Sequence, residues 1–189
     1  MRRLALLACL LAVVAAGCGP LDATGSGGEE LDPVGVLTVL PSPDDLRGEA
    51  ARPADDATLQ DALSGSADAR LAARIAQLEP AAAGVRTWSA SGGRRLTAVV
   101  SVWDSHLTAL GVGGDMASAL TDEGGSAWTP SGANGSRGAR IDLKGREEQR
   151  LSYAVGRNSL YVRAEGPVDP DVVIRTLNRM QEYAQGQTG

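Results

Sequence analysis

Asp104, Ser105 and His106 stand side by side and include every residue type of a nucleophilic triad: a hydroxyl to attack, an imidazole to take its proton and a carboxylate to orient the ring. A working triad draws its members from separate places, so that the serine meets one ring nitrogen and the acid the other. Three consecutive residues do not achieve this. Between a strand and a helix the same residues serve as a cap, with Ser105 or Asp104 accepting from the first turn and His106 on its surface. Metal chemistry is poorly supplied. His106 is the only histidine, and no acidic stretch has EF-hand spacing; Asp55, Asp56 and Asp61 suit a solvated helix start instead. Gly111-Val112-Gly113-Gly114 suggests a phosphate cradle, but the dinucleotide pattern requires glycine where Met116 stands. Asn134-Gly135-Ser136 is a short match to a glycosylation acceptor, and Glu147-Glu148 ahead of Arg150 reads as a solvated turn. No cofactor is implied. Among the three tryptophans, Trp88 and Trp103 serve as core fillers on neighbouring strands. Trp128, in a glycine-rich stretch, is free to line an apolar cleft with Trp103 and Met116, which makes these three the candidate ligand-binding residues.

The chain opens with Arg2 and Arg3, continues with an apolar run from Leu4 to Ala16, and reaches Ala15-Ala16-Gly17-Cys18. A positive start followed by an apolar stretch shorter than the roughly 20 residues of a membrane span is the pattern of a signal peptide. Its last four residues resemble the bacterial lipobox, although the position usually held by Leu, Val or Ile is Ala15, with Val14 one step earlier. The resemblance implies cleavage ahead of Cys18 and a diacylglyceryl group on its sulfur. Membrane lipid would then be a partner, and the cell membrane's extracytoplasmic face the location. Two acyl chains hold a protein at a bilayer stably where one does not. Cys9 falls within the apolar run and is read as filler; an ordinary cleaved signal is the alternative for the whole segment. With Lys144 the sole lysine and alanine and glycine abundant, the sequence also resembles uncharacterised actinobacterial lipoproteins.

Twenty-three acidic against eighteen basic residues give a net charge of −5, which argues against nucleic acid as a partner. Phenylalanine is absent, so the core must be built from Leu, Val, Ile and Ala, with three Trp and three Tyr as large fillers. Both cysteines precede the domain, so packing alone must stabilise it.

Residues 1–17 form the signal peptide, 18–31 the lipidated cysteine and a flexible Gly/Ser-rich tether, 32–186 one domain, and 187–189 a disordered tail. Within the domain, Val34 to Leu40 is β-rich and stops at Pro41, and helices follow near residues 55–63 and 71–78. Val85–Ser89 and Leu96–Trp103 pair around Gly92-Gly93, and both faces of the second strand carry apolar residues. Ser105 to Thr121 has a helical pattern that the glycines at 111, 113 and 114 should break. Residues 124–138 lack periodicity and read as a mobile loop. Ile141 and Leu143 mark a strand, and Leu151–Val155 and Leu160–Arg163 make a second hairpin. A last helix starts at Asp169-Pro170 and buries Val172, Val173, Leu177, Met180 and Ala184. Hairpin followed by helix therefore occurs twice, at 85–120 and 151–185, which admits a duplicated unit.

The expected fold is α+β, a single antiparallel sheet of five or six strands with helices mainly on one face. The expected role is non-catalytic: a cell-envelope lipoprotein whose extracytoplasmic domain binds or scaffolds a partner, such as an envelope protein. Alternatives are a carrier or sensor of a small apolar or lipid ligand in a cleft between sheet and helices, and a hydrolase using Asp104, Ser105 or Glu147.

Overall fold

A computed structural model describes residues 35–41, 47–48, 52–53, 77–143 and 145–186. The chain forms α1 (Gly35–Thr38), two dipeptide strands β1 (Arg47–Gly48) and β2 (Arg52–Pro53), then β3 (Ala82–Ser89) and β4 (Arg95–Val102). Helix α2 (His106–Asp122) precedes β5 (Ser126–Trp128), β6 (Arg137–Leu143), β7 (Arg146–Val155) and β8 (Asn158–Glu165), and α3 (Pro170–Gly186) closes the domain. The six longer strands run in the order β3-β4-β8-β7-β6-β5, all antiparallel, with β1 and β2 both on the outer edge of β3. The expected α+β class and strand number are what the structure has. Among the described residues no helix is long and apolar enough to cross a membrane.

The helices differ from expectation in where they lie. Strand alternation sends Leu96, Ala98, Val100 and Val102 of β4, Leu160, Val162 and Ala164 of β8, and Leu151 of β7 to one face, where they bury against α3 and α1. Val99 of β4 and Tyr161 of β8 point the other way and pack under α2 with Trp103, Ala109, Val112 and Met116. Helices therefore cover both faces, not mainly one, because β4 is apolar on both sides and neither side can be left to water. The two hairpin-plus-helix segments consequently place their helices on opposite faces, and their shared order is not a repeated structure.

Three local expectations are corrected. Residues 35–38 are helical instead of β: Val36, Val39 and Leu40 recur at helical spacing and bury together, and Thr38 Oγ1 donates to Gly35 O at 2.8 Å. Within the supposed mobile loop, β5 pairs with β6, and Ser136 donates from both its N and its Oγ to Ala133 O. Helix α2 runs unbroken through its glycines. A Cβ on Gly113 would stand 3.2 Å from Ser152 Oγ, which itself donates to Gly113 O at 2.9 Å, so the glycine lets helix and sheet approach closely. That packing outweighs the low helix propensity. Substitutions at the adjacent glycines should therefore diverge. Gly114→Ala meets only the tip of the Arg137 side chain, at 3.1 Å, and should stabilise the fold by about 0.5–1 kcal/mol, whereas Gly113→Val should cost about 2 kcal/mol in urea unfolding. A gain from both would show that α2 does not need the close approach. Of the helices expected near 55–63 and 71–78, only Gln77 and Leu78 lie among the described residues, and they are helical ahead of Pro80.

Candidate functional site

The two faces of the sheet have different chemistry. Toward α3 the central strands carry almost only aliphatic side chains. Toward α2 the cross-strand rows are polar: Ser101 lies opposite Ser159, Val99 opposite Tyr161 and Ser152, Thr97 opposite Arg163 and Arg150, and Arg95 opposite Glu165 and Glu148. Among the described residues Ser101 Oγ, Ser159 Oγ and Tyr161 Oη are buried without a hydrogen-bond partner, and burial pushes the Tyr161 hydroxyl up to about 12.

Where the C-terminal end of α2 reaches this face, the polar rows become an ion network centred on Glu148. Its Oε1 accepts from Arg150 Nε at 2.7 Å and Arg163 Nε at 2.8 Å, and its Oε2 accepts from Arg146 Nη2 at 2.6 Å. Arg146 also bonds Glu123 just past α2, Arg163 Nη2 donates to Glu165 Oε1 at 2.8 Å, and Arg150 Nη1 reaches Met116 O at 3.3 Å. The guanidinium of Arg150 is fully buried, and the Glu148 side chain is 3% exposed. Burial pushes the Glu148 carboxyl up, but the guanidiniums of Arg150 and Arg163 and the hydrogen bond from Arg146 outweigh it, so the net displacement is below the usual carboxylate range. The solvated turn expected at Glu147, Glu148 and Arg150 is not what the chain forms. In the structure Glu148 and Arg150 are inward positions of a ten-residue strand, and the signal was present in the alternation Arg146, Glu148, Arg150 with Arg163, Glu165 on the partner strand.

Beside this network opens a cleft of about 370 Å³. Gly92-Gly93 of the β3–β4 turn wall one side and Gly145 of the β6–β7 turn the other. Two arginines, Arg146 and Arg163, and three carboxylates, Glu147, Glu148 and Glu165, also line it, with Gly166-Pro167 at the end of β8. Gly93 and Gly166 both take positive φ, and their backbones touch so closely that a Cβ on Gly166 would stand 2.7 Å from Gly93 O, which ties the β3–β4 turn to the end of β8.

The residues singled out from sequence lie elsewhere. Trp103 and Met116 are fully buried in the core under α2, while Trp128 is half-buried against the α3-side core, with Arg140 5.0 Å over its ring. The structure does not bring the three together. Cys18 lies outside the described residues. Ser105 caps α2, its Oγ accepting from Thr108 N at 3.1 Å, and His106 Nδ1 lies 2.6 Å from Gly156 O. The Asp104 carboxyl, held below its ordinary value chiefly by its bond to Thr108, sits at that same end of the sheet. Glu147 lies near the start of β7 at the opposite end, so the hydrolase candidates do not converge.

An antiparallel sheet with a helix layer on each face and a charged cleft at one end defines the class of this domain. A similar fold occurs in the extracellular domain of PknH from Mycobacterium tuberculosis, with a TM-score of 0.61 at 11% sequence identity over 85% of this chain and all of that one. No protein-family model and no curated protein sequence matches the chain.

Proposed function

We propose that this chain is a lipoprotein, anchored through a diacylglyceryl group on Cys18, whose domain works on the extracytoplasmic face of the cell membrane by binding or scaffolding a partner without catalysis. The observation that carries the reading is the N-terminal sequence: two arginines, an apolar run too short to span, and Ala15-Ala16-Gly17-Cys18. Its fold likeness to an extracellular domain supports the location. Surface binding is favoured over carriage of an apolar ligand, because Trp103 and Met116 pack into a buried cluster and the cleft beside Glu148 is lined by charges. Palmitate labelling of cells provides the test. The wild type is expected to take up label and sediment with membranes, and Cys18→Ser to lose the label and move to the soluble fraction. An unlabelled wild type, or a Cys18→Ser protein that stays in the membrane fraction, would overturn the anchor.

A further inference from the structure

We propose that the cleft at the Glu148 end of the sheet binds a small dipolar ligand of the α-amino-acid class, its carboxylate on arginine and its ammonium on Glu165. Glu148, which also lines the cleft, already accepts three hydrogen bonds from Arg146, Arg150 and Arg163, so its charge is shared among three guanidiniums and is not free for a ligand cation. Its neighbours keep unused valences of both signs. A guanidinium has five N–H donors; among the described residues Arg163 spends two, from Nε on Glu148 and from Nη2 on Glu165, and Arg146 spends two, one from each terminal nitrogen, so both keep donors, Nη1 of Arg163 and Nε of Arg146 among them. Glu165 is satisfied at Oε1 by Arg163, but among the described residues the cation nearest Oε2 is Arg95 Nη1 at 3.9 Å, beyond hydrogen-bonding distance.

A spare donor and a spare acceptor thus flank one Arg163–Glu165 hydrogen bond, which sets opposite charges close together. A ligand carrying one sign alone would meet its own sign beside its partner. A molecule with ammonium and carboxylate on one carbon gives each sign a partner of the opposite sign. The cleft's size is at the lower end of ligand pockets, with ample room for an amino acid. A Cβ built on Gly92, Gly93 or Gly145 meets nothing within 4 Å, so the walls are bare main chain open to the ligand. This assignment deepens the binding role proposed above. Its test does not depend on Cys18, so a failed titration would remove the ligand and leave the anchor standing.

Titration of the ¹⁵N-labelled protein with glycine and alanine is the experiment, with acetate, methylammonium and phosphoethanolamine as comparison probes at equal ionic strength. The expected result is saturable shifts of the Gly92, Gly93, Gly145 and Gly166 amides at about millimolar amino acid, as befits so small a ligand, and none with acetate or methylammonium. Glu165→Gln and Arg146→Gln, each checked by its own spectrum for an intact fold, should each weaken binding about tenfold or more. Both positions are part-exposed, so at least one variant should fold. Absence of saturable shifts, equal shifts from acetate alone, shifts from phosphoethanolamine without any from glycine, or undiminished binding in a folded variant would each overturn the assignment.

Discussion

Glu148→Gln is expected to cost about 3–5 kcal/mol in chemical unfolding, a large share of the roughly 5–15 kcal/mol that holds a domain together. The amide keeps the shape and removes the charge that three guanidiniums share. Arg146 and Arg163 have recourse to Glu123 and Glu165, but Arg150 is fully buried, and its nearest other carboxylate oxygen, Glu123 Oε1, lies 3.9 Å from Nη2. The loss is therefore mainly that of one buried cation without a partner. Replacing both members, as Glu148→Leu with Arg150→Met, should recover much of it, since an apolar pair of similar size often does as well as a buried ion pair. Acid should act in the same direction. The folded carboxyl ionises below its unfolded counterpart, so its contribution is complete above about pH 4.3 and disappears as the pH falls through the lower folded value. Wild-type stability should drop over that interval more steeply than that of Glu148→Gln. Parallel acid limbs, or a loss under 1 kcal/mol for the single substitution, would show that the network does not hold the sheet.

The framework was legible where local chemistry and period agreed. Gly92 and Gly93 take the positive φ their hairpin requires, β4 carries apolar residues on both faces, Ser105 caps its helix, and Asp169 Oδ1 accepts from Asp171 N at the start of α3. What failed to show in the sequence depended on partners distant along the chain. The glycines of α2 look like breakers until Ser152, some forty residues on, appears against Gly113. Glu148 looks solvated until Arg163 of the neighbouring strand is beside it. The same holds for the cleft, whose walls come from two turns that only the sheet order β4-β8-β7 sets facing each other. The tryptophans divide: with no phenylalanine in the chain, Trp88 and Trp103 fill core volume as expected, one on each face, whereas Trp128 does not join Trp103 and Met116 around a cleft.

Gly138→Ala should destabilise the domain by about 3 kcal/mol, although it adds a single methyl group. Gly138 lies within β6 between Trp128 of β5 and Leu151 of β7. A Cβ there would come within 2.6 Å of Arg150 O, 2.8 Å of Leu151 Cδ1 and 3.0 Å of Trp128 O. Two of these three atoms are main-chain carbonyls of the flanking strands, which cannot move aside by rotation as a side chain does. Relief requires β6 to separate from the strands on either side of it, and the half-buried Trp128 to lift from the core it packs on. Fluorescence of Trp128, isolated in a background with Trp88 and Trp103 replaced by tyrosine where folding permits, should shift to the red in the alanine variant. The urea midpoint should fall without a change in slope if the sheet yields only locally. A Gly138→Ala protein as stable as the wild type would mean that β5 is not held against β6 in this register, and that this end of the sheet stops at β6.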